Sequence, residues 1–96
     1  MTELLPLRVK HLETKEIHEA YQVTEKNLKT VAAWCAGDIS NDPIRNKNVV
    51  VVPTRIYPIR AFPGDYVIKR DRPKGPEFFL KDAKMFELFF KEVDDA

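Results

Sequence analysis

Apolar and polar positions change period several times along the chain, and each change marks an element. Leu7 and Val9 alternate with Arg8 and Lys10, and Pro6 suits a strand start. This opening stretch, residues 1–15, reads either as a short edge strand or as an arm that docks on a partner. Residues 16–23 place Ile17, Glu19, Tyr21 and Val23 in one row and His18, Ala20 and Gln22 in the other, a strand period. Leu28, Val31, Ala32 and Cys35 then recur at helical spacing. Thr24 stands as N-cap, Glu25 in the first turn, and Gly37 as a left-handed terminator, which predicts a helix over 25–36. A helix of about three turns is too short to stand alone in water, so it must lie on a sheet.

Beyond it, Asp38–Asn48 is polar and interrupted by Pro43, which predicts a loop. Val49–Val52 is a β-branched strand limited by Pro53. Arg55–Ala61 is a second candidate strand, Pro63-Gly64-Asp65 a compact turn, and Tyr66–Arg70 a strand with Tyr66 and Ile68 opposite Val67 and Lys69. Asp71–Pro76 joins antiparallel neighbours, and Phe78–Leu80 is strand again. Asp82 caps a short helical turn reaching Phe86, and Glu87–Val93 reads as a final strand. One strand, one helix and a run of strands predict an α+β fold, with one main helix packed on a small twisted, mostly antiparallel sheet. With 96 residues, the chain reads as a single domain, 1–96.

Sixteen Lys and Arg against fifteen Asp and Glu leave a formal charge of +1. Near-neutrality argues against wholesale coating of nucleic acid or membrane. The longest apolar runs are far shorter than the ~20 residues of a spanning helix. The mixed N-terminus does not read as a signal peptide. One cysteine allows no internal disulfide, and cytosolic residence is the default.

The charge is nevertheless polarised. Residues 45–74 hold eight Lys and Arg and only two Asp, whereas residues 77–95 hold three Lys and six Asp or Glu. Arg55, Arg60, Lys69, Arg70, Arg72 and Lys74 are therefore candidate binders of phosphate, nucleotide or an acidic partner surface. The alternative is a solvated face that pairs with the acidic segment. Gly64 and Asp65 join the candidates, because a glycine turn admits a ligand to backbone N–H groups; the alternative is a turn that only sets strand register.

Other chemistry is sparse. No P-loop or dinucleotide glycine spacing occurs, and no cofactor is implied. His11 and His18 lack a metal-binding pattern and read as surface residues. Cys35, in the apolar stripe, reads as a core residue. Ser40 is the only serine, and nothing pairs the carboxylates of Glu77, Asp82 and Glu87 across a pocket, so no catalytic residue or metal ligand is expected. Phe78, Phe79, Phe86, Phe89 and Phe90 are dense enough to make both sheet faces apolar in places. That predicts cover by the N-terminal arm or by a second subunit. These rings lie in the acidic third of the chain, away from the basic residues that an RNA-binding sheet requires, so nucleic acid is disfavoured.

Glu19–Thr24, a helix ending at Gly37, Pro63-Gly64-Asp65-Tyr66-Val67-Ile68-Lys69-Arg70, the Arg72–Pro76 connection, Glu77-Phe78-Phe79 and Met85-Phe86-Glu87 occur in an order that resembles a family of small proteins of tailed bacteriophages and prophages. The resemblance covers residues 16–92. Val23 and Tyr66 stand where that family usually has tryptophan, and Ala83 where it usually has proline. The resemblance implies an accessory protein of an infected or lysogenic bacterial cell, in the host cytoplasm. The leading expectation is a non-enzymatic protein that binds and modulates a host protein. A binder or sponge of a nucleotide or phosphorylated small molecule, and a minor virion or assembly protein, are the alternatives.

Overall fold

The computed structural model describes residues 6–93. Their architecture is mostly β, with two sheets and two short helices, rather than one main helix on a sheet. The first sheet has five antiparallel strands in the order β7-β6-β2-β1-β8: β1 (Leu7–His11), β2 (Ile17–Gln22), β6 (Tyr66–Arg72), β7 (Gly75–Lys81) and β8 (Phe90–Glu92). The second has three, β3 (Asp38–Asp42), β4 (Lys47–Val52) and β5 (Ile59–Ala61). Helix α1 spans Leu28–Cys35 and α2 spans Ala83–Phe89.

The second sheet is the main departure from the expected α+β fold. Its first strand falls in the segment read as a loop. Asp38-Ile39-Ser40-Asn41-Asp42 carries one apolar residue, because β3 is an edge strand exposed along most of its length. Its hairpin is set by polar groups instead. The buried Asp42 carboxylate accepts from the amides of Ile44 (2.9 Å) and Arg45 (3.4 Å), and Asn46 takes φ 53°. Arg55–Pro58, read as strand, is a loop, and only Ile59–Ala61 pairs with β4. Glu87–Phe89, read as strand, extends α2 instead.

Two cores lie on opposite faces of the five-stranded sheet. On one face Tyr21, Val23 and Val67 meet the α1 stripe of Leu28, Val31, Ala32 and Cys35, with Val50, Val52 and Ala61 of the second sheet. The helix is thus wedged between two sheets. On the other face Val9, Ala20 and Ile68 meet Phe86 and Phe90. Phe86 stacks on Tyr66, with ring centroids 3.7 Å apart. The second apolar face is therefore covered by α2 and the C-terminal segment, with Leu7 and Val9 of the N-terminal stretch packed into the same core. Leu7–His11 is a strand, but it lies between β2 and β8 rather than at an edge. The preceding residues 1–5 lie outside the described residues.

The ends of α1 show how local chemistry fixes the layers. The Thr24 hydroxyl accepts from the Asn27 amide (3.2 Å) while the Asn27 side chain accepts from the Thr24 amide (2.8 Å). This reciprocal pair precedes the first helical residue, so asparagine does the work that Glu or Gln does in a capping box. At the other end Ala36, not Gly37, takes the left-handed conformation (φ 58°). Gly37 is needed for space. A Cβ there would lie 2.1 Å from the carbonyl oxygen of Val51 in β4.

Candidate functional site

The C-terminal end of α1, the loop after β4 and the β6–β7 hairpin enclose a cleft of about 530 Å³. Pro53 and Ile56 form one side, Cys35 and Ala36 lie at the end of α1, and the stretch Lys74–Phe79 forms the other side. Arg55, Arg72 and Lys74 all line it. The loop bearing Arg55 is held by one hydroxyl. Thr54 Oγ1 accepts from the amides of Ile56 (3.3 Å) and Tyr57 (3.2 Å) and donates to the Tyr57 carbonyl. This turn leaves Ile56 and Tyr57 strongly exposed, at 85% and 64%. Across the cleft, Phe78 packs edge-on against Trp34 at 5.4 Å, and Trp34 in turn meets Tyr21 at 5.0 Å. The hairpin wall is thereby tied to the first core.

The eight candidate residues separate in space. Arg72 Nε lies 3.4 Å from Glu77 Oε1, so its charge is compensated within the cleft. Arg55 and Lys74 are exposed and have no carboxylate within 4 Å among the described residues. Lys69 pairs with Glu19 across the β2–β6 ladder (3.8 Å). Arg70 reaches Glu16 (3.4 Å). Arg60 is exposed on β5 opposite Val51. Gly64 and Asp65 lie apart from the cleft, beside Gln22–Lys26. Their polar groups serve the turn: the Gly64 amide donates to Val23 O (2.7 Å), Asp65 O accepts from Val23 N (2.8 Å), and Asp65 Oδ2 accepts from Phe62 N (3.0 Å). Gly64 is required by its φ of +104°, since a Cβ there meets nothing within 4 Å.

Neither histidine is a free surface residue. His11 Nδ1 accepts from the amides of Glu13 (3.2 Å) and Thr14 (3.3 Å), closing the turn after β1. His18 is buried, with its ring edge-on to Phe79 and Phe90 and its Nε2 3.5 Å from Glu16 Oε1. Burial pushes the His18 imidazole below its ordinary pKa, against the opposing pull of Glu16. Cys35 is fully buried, and burial raises its thiol pKa. Its side chain is a packing element at the end of α1 rather than an exposed thiolate.

Sequence reasoning missed the apolar side of the cleft. Ile56 falls within the candidate strand Arg55–Ala61, although the two prolines bracketing Thr54-Arg55-Ile56-Tyr57 signal a projecting loop. Among the described residues, no group of three or more His, Cys, Asp or Glu is placed to hold a metal ion. No helix of the described residues is long and apolar enough to cross a membrane. Compared with protein-family models, curated proteins and solved structures, the chain matches none.

Proposed function

We propose that the protein is a non-enzymatic binding protein, and that the cleft beside the β6–β7 hairpin takes an acidic, partly apolar surface of a protein partner. The observation that carries this reading is the meeting of two cations, Arg55 and Lys74, that have no ion pair among the described residues, with the exposed Ile56 and the Phe78 wall. Apolar contacts supply area and the cations supply register and association rate. Elsewhere Lys69 and Arg70 of β6 pair with Glu19 of β2 and with Glu16 just before it. At the cleft, by contrast, Arg55 and Lys74 stand without an ion pair among the described residues. The resemblance to phage proteins supplies the setting of this proposal: a host protein in the bacterial cytoplasm, modulated by occlusion.

The test compares wild type with Arg55→Glu/Lys74→Glu in bacterial lysate, using native mass spectrometry. The reading expects one captured protein of defined mass, lost in the double variant while circular dichroism stays unchanged. Capture indifferent to the charge reversal, or no capture, contradicts it. The cleft volume of about 530 Å³ also favours a second reading. It lies within the ~300–1,000 Å³ range of small-molecule sites, so a nucleotide or phosphorylated metabolite is the rival occupant. A mass excess of a few hundred daltons on the freshly purified wild type, absent from the double variant, would favour that rival.

A further inference from the structure

The cleft shares its wall with an open sheet edge. Strand β7 is the outermost strand of the five-stranded sheet and runs for seven residues, whereas β8 at the opposite edge has three. The backbone direction along β7 follows from a bond two strands away. Val23 N donates to Asp65 O, which turns the odd-numbered backbone groups entering β6 toward β2. Those of Tyr66, Ile68, Arg70 and Arg72 therefore face β7, whose register opposite them is Lys81, Phe79, Glu77 and Gly75. The remaining residues, Pro76, Phe78 and Leu80, turn their backbone groups outward.

Pro76 offers only a carbonyl, but Phe78 and Leu80 each offer an N–H and a carbonyl on the open edge. Natural edges are usually blunted by proline, charge or shortness. Here Pro76 and Glu77 blunt only the start, and among the described residues no strand pairs with the outer side of Phe78-Phe79-Leu80. The stretch Gly75–Phe79 is also the wall of the cleft.

We propose that the partner binds by strand addition: an extended segment pairs antiparallel with β7 through the backbone of Phe78 and Leu80 and turns alternate side chains into the cleft. This rests on the reading of the cleft as a protein-binding site and specifies the partner's chemistry. The added residue beside Phe78 is apolar. Residues beside Pro76, at the C-terminal end of the added segment, are acidic, because Lys74 lies two residues from Pro76 and Arg55 lines the same cleft. Main-chain bonds give affinity and alternate side chains give selectivity.

The test uses a terminally blocked seven-residue peptide of alternating valine and threonine that ends in two aspartates. Two further forms carry N-methyl groups on one or the other alternate set of amides. Strand addition presents only one set to β7, so one methylated isomer binds about tenfold or more weakly while the other stays within about threefold of the parent. The amide signals of Phe78 and Leu80 move on binding of the parent. Equal binding of both isomers, with Arg55→Glu still weakening them, overturns strand addition but leaves the cleft reading standing. No peptide binding at all, whether inorganic phosphate occupies the cleft or concentration-dependent dimers pair β7 with β7, overturns the proposal.

Discussion

Ala36 and Gly37 are adjacent residues at the end of α1, and exchanging their side-chain content has opposite consequences. In Gly37→Ala the new Cβ meets the Val51 carbonyl oxygen at 2.1 Å and Cys35 Sγ at 3.1 Å. Ordinary heavy-atom contact requires about 3.5 Å, so β4 or the helix end must move by roughly 1 Å or more. Val51 is held on both sides, opposite Asp38 in β3 and Arg60 in β5, so that movement strains two ladders. Overpacking of this kind costs about 1–3 kcal/mol, and the two ladders place it near the upper end. Ala36→Gly does the reverse. Ala36 is exposed and left-handed at φ 58°, a conformation that costs an L-residue about 1–2 kcal/mol. The extra unfolded-state entropy of glycine offsets about 0.4–1 kcal/mol, leaving a net gain of about 0.5–1 kcal/mol. For a chain of 96 residues, 1 kcal/mol corresponds to about 5 °C in Tm. Thermal unfolding should therefore show Gly37→Ala lower by about 15 °C and Ala36→Gly higher by roughly 3–5 °C. Urea midpoints measured beside it check that unfolding remains two-state. If Gly37→Ala is neutral, or Ala36→Gly destabilises as a mid-helix glycine does, this account of the junction between α1 and the second sheet is wrong.

Three further outcomes follow from the same geometry. His18 is held below its ordinary pKa of 6.5 mainly by burial, with Glu16 and Asp71 opposing and Arg70 and His11 assisting. The unfolded chain therefore binds the proton more tightly, and stability is lost as pH falls from about 6.5 toward the lowered value. Urea midpoints at pH 7 and pH 5 should fall further for wild type than for His18→Gln; parallel falls would contradict the assignment. Asp82 accepts from the Met85 amide (2.8 Å) at the start of α2, so Asp82→Ala should cost about 1 kcal/mol in urea unfolding. No loss would mean that the cap contributes nothing to covering the second core. Cys35 is fully buried with a raised thiol pKa, so a disulfide reagent should modify it only through opening, at a rate that rises with urea. Immediate stoichiometric labelling in native buffer would show that the cleft is open to Sγ.

Elements whose side chains carry the period were legible in the sequence. The α1 stripe, the split of Tyr66 and Ile68 from Val67, and the Asp82 cap each follow from spacing and lie where that spacing puts them. The second sheet was not legible, because β3 is held by backbone pairing and by Asn41 and Asp42 rather than by an apolar face. Its omission turned a two-sheet β fold into the expected α+β layer. Burial of His18 was hidden for a related reason: its neighbours Phe79 and Phe90 come from strands far along the chain. Within the candidate site, the basic residues could be listed from sequence. Their separation could not, since it depends on the β2–β6 register that brings Glu19 beside Lys69 and on the loops that carry Arg55 and Lys74 to the cleft.

The most direct test of the cleft as the binding surface is an amide-shift titration of the isotopically labelled protein with the aspartate-ended peptide. The account predicts perturbations confined to Ala36, Arg55–Tyr57 and Lys74–Leu80. They should be abolished in Arg55→Glu/Lys74→Glu and weakened by salt. Perturbations centred on the Pro63–Asp65 turn, or a binding isotherm unchanged by the double reversal, would contradict it.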